Sequence, residues 1–132
     1  MEFDQKDKNT ILLTHGYFLQ EDEKEKLIMK PYVPLGILYL SAYLESKQIA
    51  HQVFDSTFST LEVFKLNLLE TKPQLVAFYT NLMTKINVLA LVNYIKQHPS
   101  LSHTKVILGG PEIRYNAENY LNNGADVLVV GE

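Results

Sequence analysis

Five short apolar runs alternate along the chain with longer segments of helical pattern, and this alternation restricts the possible folds more than any other feature. The third, fourth and fifth runs are almost continuously apolar, as in strands buried on both faces of a parallel sheet. The five runs are TILLT (10–14), HQVFD (51–55), QLVAFYT (74–80), KVILG (105–109) and DVLVVG (126–131).

The segments between these runs predict four helices. The first opens with Pro34, a residue favoured in the first turn of a helix. The second begins with Ser59 as a candidate cap and has Glu62 three residues later, which is a capping-box pattern. The four predicted helices cover residues 34–47, 59–70, 81–97 and 117–124.

The third and fourth predicted helices carry further signals. Asn81 is a candidate cap of the third helix. In the same helix Leu82, Ile86, Leu89 and Val92 or Asn93 recur on one face, which we expect to be its buried face. Gly124 is placed to close the fourth helix.

Alternating strands and helices form a parallel sheet with right-handed crossovers and helices on both faces. We therefore expect residues 10–132 to form one α/β domain, preceded by a flexible N-terminus at residues 1–9. The expected architecture is a flavodoxin-like (Rossmann-like) three-layer sandwich of five parallel strands in the order 2-1-3-4-5. Ligands of such sheets bind beyond the carboxyl ends of the strands, where residues 15–36, 80–84 and 109–114 form the loops.

The loop after the first strand is unusually long. Connections of this kind usually have a handful of residues, whereas this one extends from residue 15 to residue 36. It contains the charge run EDEKEK (21–26). We interpret it as a functional flap with a solvated middle rather than a disordered insertion.

Composition excludes several classes of function. The 132 residues contain no cysteine, so disulfides, thiolate catalysis and Cys-ligated zinc or iron–sulfur clusters are excluded within them. A net charge of −3 gives no electrostatic case for a nucleic-acid partner. No apolar run approaches the roughly 20 residues of a membrane span, and the polar start lacks a signal-peptide core. We expect a cytoplasmic protein.

Gly109-Gly110-Pro111 directly follows a buried strand, and two explanations are open. One is an ordinary strand-to-helix turn, in which Gly supplies a positive φ and Pro111 fixes the exit. The other is a ligand that lies against bare backbone. The segment is neither GxGxxG nor a Walker loop, which disfavours a dinucleotide or nucleoside triphosphate. Glu112, next in the sequence, is either a cap or a ligand contact.

Two other segments are predicted to reach the same edge of the sheet. Thr80-Asn81-Leu82 stands where the third strand meets its helix, and capping by Asn81 is at least as good an explanation as ligand contact. PYVPLG (31–36) enters the first helix with two stiffening prolines, and by itself it indicates a rigid helix entry.

Together these segments resemble the cobalamin-binding domains of the methionine synthase and mutase type. Those domains carry Asp-x-His-x-x-Gly after strand 1, then Ser-x-Leu, then Gly-Gly. Thr80–Leu82 is similar to the Ser-x-Leu element with Thr in place of Ser. Gly36 falls near the final Gly of the first motif, which puts Val33 where the family has its cobalt-ligating His and Pro31 where it has Asp.

With Val33 and Pro31 at these positions, the chain resembles a narrower family, the amino-terminal cobalamin-binding domains of radical S-adenosylmethionine enzymes. The similarity covers about residues 10–132 and includes PLGILYLSAYLESKQIAHQVFDS (34–56), VILGGPE (106–112) and ADVLVVGE (125–132). The resemblance implies a domain that binds cobalamin without a protein histidine on cobalt and is not itself catalytic. It also implies a larger parent enzyme of methyltransferase or cyclase type. The C-terminal domain of that polypeptide would hold a 4Fe-4S cluster and S-adenosylmethionine.

The resemblance further implies where the cofactor lies. The corrin would sit over the carboxyl edge, gripped by the 15–36 loop, with its nucleotide tail running towards Thr80 and the glycine pair. His15, on the same edge but outside the motif, is expected to be structural or solvent-facing. The cofactor-binding residues implied are Tyr32, Val33, Leu35, Gly36, Thr80, Asn81, Leu82, Gly109, Gly110 and Pro111.

Two other hypotheses remain open. The domain could keep this fold without the cofactor and act as a structural or substrate-docking module, as the absent ligand histidine and the long charged loop indicate. A flavodoxin-like domain for another small molecule, or a phosphorylation receiver, is the third hypothesis. A receiver needs acidic residues after strands 1 and 3, where this chain has His15-Gly16 and Thr80-Asn81.

Overall fold

A computed structural model describes residues 11–18 and 35–130 of the chain. The predictions for residues 1–9, for the flap at 19–34 and for Tyr32 and Val33 therefore lie outside the described residues.

The strands form one parallel sheet in the order β2-β1-β3-β4-β5, which confirms the predicted flavodoxin-like α/β sandwich. The register aligns the ends of the central strands, since His15 lies opposite Tyr79, and Tyr79 opposite Gly109. The fifth strand is shorter than the sequence predicts. The strands are β1 (Ile11–His15), β2 (Gln52–Phe54), β3 (Leu75–Tyr79), β4 (Lys105–Gly109) and β5 (Val127–Leu128).

The helices lie where the sequence predicts them, with different ends. They are α1 (Leu35–Ser46), α2 (Leu61–Thr71), α3 (Lys85–Gln97) and α4 (Ala117–Asn122), with short 3-10 helices at Pro99–Leu101 and Ile113–Tyr115. Within the described part of the chain, no helix has the length and hydropathy that a membrane span requires.

The cap of α2 is Thr60 rather than the predicted Ser59. The Thr60 hydroxyl accepts a hydrogen bond from the Val63 N–H at 3.1 Å, and the extended backbone of Thr60 suits a cap. Ser59 instead belongs to the preceding turn, where its N–H donates to the Ser56 carbonyl. The two residues are adjacent and both carry hydroxyls, so the sequence alone does not distinguish them.

The start of α3 is also later than predicted. Asn81 and Thr84 form a reciprocal turn, in which each side-chain oxygen accepts the other residue's backbone N–H at 3.1 Å. The helix begins after this turn, at Lys85. Asn81 therefore holds the turn before the helix and does not cap the helix itself.

The face predicted for α3 is only partly its buried face. Val92 is buried, and Leu89 is half-buried against the core. Leu82 and Ile86 have 77% and 81% of their surface exposed. The side chains that face the core recur at i, i+3, i+4 and i+7, counted from Val88. The buried residues of α3 are Val88, Leu91, Val92 and Ile95.

The two faces of the sheet are covered unequally. The connection through α1 runs towards one edge of the sheet and those through α2, α3 and α4 towards the other, so right-handed crossovers place α1 on the opposite face. Even-numbered strand residues such as Val76 and Val106 are fully buried in the core with the side chains of α2, α3 and α4. Odd-numbered residues such as Ala77 and Ile107 face α1 and are only half-buried.

Candidate functional site

A cavity of about 730 Å³ lies between α1 and the half-buried face of the sheet. That volume is within the range of small-molecule sites, about 300–1,000 Å³. Most of its wall is aliphatic. Leu40 and Leu44 line it from α1, and Leu13, Ala77 and Ile107 line it from the central strands.

The carboxyl end of the cavity is formed by residues that the sequence singled out. Gly36, at the start of α1, lines it together with Gly109, Gly110 and Pro111 after β4. These residues are far apart in the sequence, and the parallel register brings them to the same edge of the sheet.

The two adjacent glycines have different physical causes. Gly110 has a φ of +110°, and a Cβ there would lie 2.3 Å from the Thr80 carbonyl oxygen, so the turn itself requires glycine. Gly109 has no positive φ, and a Cβ there would meet nothing nearer than the Val129 Cβ at 3.8 Å. Packing therefore explains Gly110, whereas the missing side chain at Gly109 leaves open space in the cavity wall.

Gly36 allows α1 to begin directly against the end of β3. A Cβ at Gly36 would lie 2.8 Å from the ring of Tyr79. Tyr79 lines the cavity as well, so its ring fills the corner between helix and sheet. A side chain at position 36 would push the helix away from the sheet.

Thr80 lies beside the glycine pair and is fully buried. Its backbone N–H donates to the Gly109 carbonyl at 2.7 Å. Its hydroxyl oxygen finds no hydrogen-bond partner among residues 11–18 and 35–130. A buried hydroxyl without a partner costs free energy, which marks this position for a ligand group or a bound water.

Other predicted site residues stand apart from the cavity wall. Leu35 has 60% of its surface exposed at the start of α1, and Leu82 is exposed in the turn after β3. Both belong to the carboxyl edge, where they are available to a molecule lying across its top. Asn81 is half-buried and its side chain is engaged in the turn with Thr84.

His15 ends β1 at the same edge and is held on both ring nitrogens. The Tyr17 N–H donates to Nδ1 at 3.1 Å, so the proton of the neutral ring is on Nε2, which donates to the Asp55 carboxylate at 2.9 Å. Asp55 also accepts from the Thr57 N–H and hydroxyl. This network joins the end of β1 to the end of β2.

The charge states of this network follow from burial. Desolvation lowers the pKa of His15, although Asp55 opposes the shift, and the imidazole is therefore neutral at pH 7. Partial burial alone would raise the pKa of Asp55, but hydrogen bonds from Thr57 and His15 hold it below its usual value. The pair is a neutral histidine beside a carboxylate.

Glu112, for which the sequence left two roles open, packs towards the α3 side of the sheet. Its carboxylate lies 3.6 Å from Lys85 Nζ and accepts from the Asn116 amide at 3.3 Å. It also lies near Tyr120, where burial together with the Glu112 charge raises the pKa of the phenol to about 12. Glu112 thus ties the loop after β4 to α3.

The sequence missed several cavity residues. Tyr79, Arg114 and Val129 line the cavity but were not among the predicted site residues. Tyr79 and Val129 share the odd-numbered face of the sheet, so the alternation along each strand was the available signal. Arg114 is the chain's single arginine.

The match to known families agrees with this geometry. The model of the B12 binding domain matches residues 29–132, which is most of the chain. No curated protein matches the chain. With its parallel sheet, its ligand-sized cavity at the carboxyl edge and this match, the chain belongs to the B12-binding domain family.

Proposed function

We propose that the chain binds cobalamin at the carboxyl edge of its sheet, as the cobalamin-binding domain of a radical S-adenosylmethionine enzyme of methyltransferase or cyclase type. The nucleotide tail of the cofactor would enter the cavity beneath α1. The single observation that carries this proposal is the cavity itself, which is lined by Gly109 and Gly110 in a domain of the B12-binding family.

The cavity has the chemistry that a corrinoid tail requires. Its aliphatic walls would enclose the lower base, and the bare backbone at Gly109 leaves room for it. Arg114 is the one charged residue among the described lining residues, and its guanidinium suits the phosphodiester of the tail. The residues present therefore fit the cofactor.

Cobalt would carry no protein histidine in this domain. All four histidines lie among the described residues. His51 and His103 precede β2 and β4, and His98 follows α3, which places these three at the opposite edge of the sheet. His15 is at the carboxyl edge, but both of its ring nitrogens are already bonded. Val33 would face cobalt without coordinating it.

The radical S-adenosylmethionine context rests on the resemblance of the ordered motifs, above all VILGGPE (106–112) and ADVLVVGE (125–132). In that context the cobalt supplies methyl-transfer or related radical chemistry, and the protein supplies binding and orientation. A 4Fe-4S cluster and S-adenosylmethionine would belong to the C-terminal radical S-adenosylmethionine domain of the same polypeptide.

A second candidate function is a structural or substrate-docking module with the same fold and no cofactor. The exposed apolar side chains at the carboxyl edge favour it, because Leu35, Leu82 and Ile86 offer a surface for another domain. The same side chains would equally lie beneath a corrin ring.

The test is equilibrium dialysis of the chain against hydroxocobalamin, followed through the visible absorbance of the corrin. Gly109→Val should weaken binding at least about tenfold, because the new side chain grows into open cavity space. Val63→Ile, which adds one carbon to an exposed side chain of α2 on the opposite face of the sheet, should bind like the wild type. A folded chain that binds no cobalamin would refute the proposal.

The cobalt ligand is tested separately by electron paramagnetic resonance of bound cob(II)alamin. We expect a spectrum without nitrogen splitting, unchanged in His15→Asn. A nitrogen splitting that disappears in this variant would assign His15 as the ligand and overturn the ligand-free proposal.

A further inference from the structure

Ser41 of α1 and His51, which directly precedes β2, form a hydrogen-bonded pair, and neither is among the residues that line the cavity. The Ser41 hydroxyl oxygen lies 2.6 Å from His51 Nε2, and His51 Nδ1 lies 2.9 Å from the Ile49 carbonyl oxygen. A carbonyl oxygen can only accept a hydrogen bond, so the proton of the neutral ring is on Nδ1. Nε2 is therefore an acceptor, and the Ser41 hydroxyl donates to it.

The end of α1 places this histidine beside the serine. Gln48 has a φ of +58°, in the left-handed region, and it reverses the chain after the helix. The Ile49 N–H then donates to the Leu44 carbonyl at 2.9 Å, which holds the returning segment against the last turn of α1. His51 thus returns next to Ser41, ten positions after it in the sequence.

This arrangement has the parts that activate a serine hydroxyl. A nucleophilic serine needs a base within about 2.6–3.2 Å of its oxygen and a third group that orients the base. Here Nε2 of His51 is the base, and the Ile49 carbonyl is the orienting group. Both side chains of the pair are half-buried, so the pair is partly open to solvent.

We infer that Ser41 is a site of covalent acylation by activated acyl donors, such as aryl esters or thioesters, with His51 as the general base. Oγ of Ser41 attacks the acyl carbon while its proton passes to Nε2 of His51. The bond from the acyl carbon to the leaving group then breaks, and the departing phenolate or thiolate takes the proton from Nε2. The products are an acyl ester on Ser41 and a free phenol or thiol.

The position of Ser41 within α1 limits this reaction to slow labelling. In the middle of a helix each backbone N–H donates to the carbonyl four residues earlier, so α1 itself offers no free N–H to the oxyanion of a tetrahedral intermediate. One missing oxyanion donor costs about 10²–10³-fold in rate, whereas a positioned base contributes about 10²–10⁴-fold. We therefore expect one acyl group per chain and no turnover.

The experiment treats the folded chain with p-nitrophenyl acetate in mildly alkaline buffer and follows acetylation of individual serines by peptide mass spectrometry. Ser46 is an internal control on the same helix. Its hydroxyl donates to the Tyr43 carbonyl at 2.6 Å and has no histidine partner within residues 11–18 and 35–130. Ser41 should be acetylated at least about 100-fold faster than Ser46. This comparison uses the wild-type chain alone, so it does not depend on the folding of a variant.

Two matched substitutions assign the role of the base. His51→Gln keeps a side chain that can hydrogen-bond to Ser41 but removes the base, so acetylation of Ser41 should slow by at least about 100-fold. His103→Gln makes the same change at a histidine that instead contacts the Lys72 carbonyl at 3.1 Å, and it should leave the rate unchanged. Circular dichroism checks that both variants are folded.

Two results would overturn the inference. Ser41 reacting no faster than Ser46 would leave the pair as a structural contact between α1 and the segment before β2. Equal acetylation of Ser41 in the wild type and in folded His51→Gln would show that His51 does not act as the base. Neither result bears on the proposed function, because the reaction involves no cobalamin and no residue of the cavity wall.

Discussion

Replacing Gly110 by alanine should destabilise the fold substantially. An L-residue at a φ of +110° is strained, at a cost of about 1–2 kcal/mol. The new Cβ would also lie 2.3 Å from the Thr80 carbonyl oxygen, and relieving that overlap requires backbone movement at a further cost of about 1–3 kcal/mol. Alanine also lowers the conformational entropy of the unfolded chain, which stabilises the fold by only about 0.5 kcal/mol. The net loss is about 3 kcal/mol.

The assay is equilibrium urea unfolding followed by circular dichroism. Gly109→Ala is the matched control, because its Cβ would meet only Val129 at 3.8 Å, an ordinary contact. This control should change the free energy of unfolding by less than about 0.5 kcal/mol while weakening cobalamin binding. A loss below about 1 kcal/mol in Gly110→Ala would refute the steric argument, and equal losses in the two variants would refute the distinction between the glycines.

Three further predictions concern the fold. Thr60→Ala should cost about 1 kcal/mol of unfolding free energy, since it removes the cap of α2, whereas Ser59→Ala should have little effect. Asp126 accepts from the Val106 N–H and pairs with a lysine, contacts that hold its pKa below 3.8 despite partial burial. Asp126→Asn should therefore cost roughly 1 kcal/mol at pH 7. Its stability should converge with the wild type as pH falls from 3.8 through the lowered pKa of the folded state, below which the carboxylate is protonated in both states. The pKa of His15 is lowered from 6.5 by burial, so the unfolded chain takes up its proton first, and stability should fall as pH drops below 6.5. His15→Asn should reduce that slope in urea titrations between pH 7.5 and pH 5.5, and an unchanged slope would contradict a buried neutral imidazole.

Sequence patterns predicted the sheet well, because buried parallel strands leave long apolar runs. The order of the strands followed from the alternation of strands and helices together with right-handed crossovers. Strand β5 is shorter than its apolar run, because only Val127 and Leu128 are paired with β4, opposite Ile107 and Leu108. The same run was predicted to be buried on both faces, but Val127, Val129 and Val130 are 49%, 56% and 58% exposed. An apolar run at the edge of a sheet thus shows neither burial nor how far the strand pairing continues.

Local hydrogen bonds set the details that the sequence did not predict. Because of the turn between Asn81 and Thr84, α3 begins at Lys85 and not at Asn81. His15 and Asp55 are forty positions apart in the sequence, so no local sequence pattern could predict their hydrogen bond. Of the candidate site, the motifs indicated the glycines and Thr80. The aliphatic wall became recognisable only from the position of α1 over the odd-numbered face of the sheet.

The shortness of β5 has a consequence for how the cavity opens. Two registered residue pairs attach this strand to β4, whereas five attach β3 to β4. Amide hydrogens in β5 should therefore exchange with deuterium sooner than those in the centre of the sheet. Val129, which follows β5 and lines the cavity, belongs to this weakly held border. The cavity thus has one firmly paired side, formed by the central strands, and one weakly paired side at β5, where we expect local opening to admit a bulky ligand.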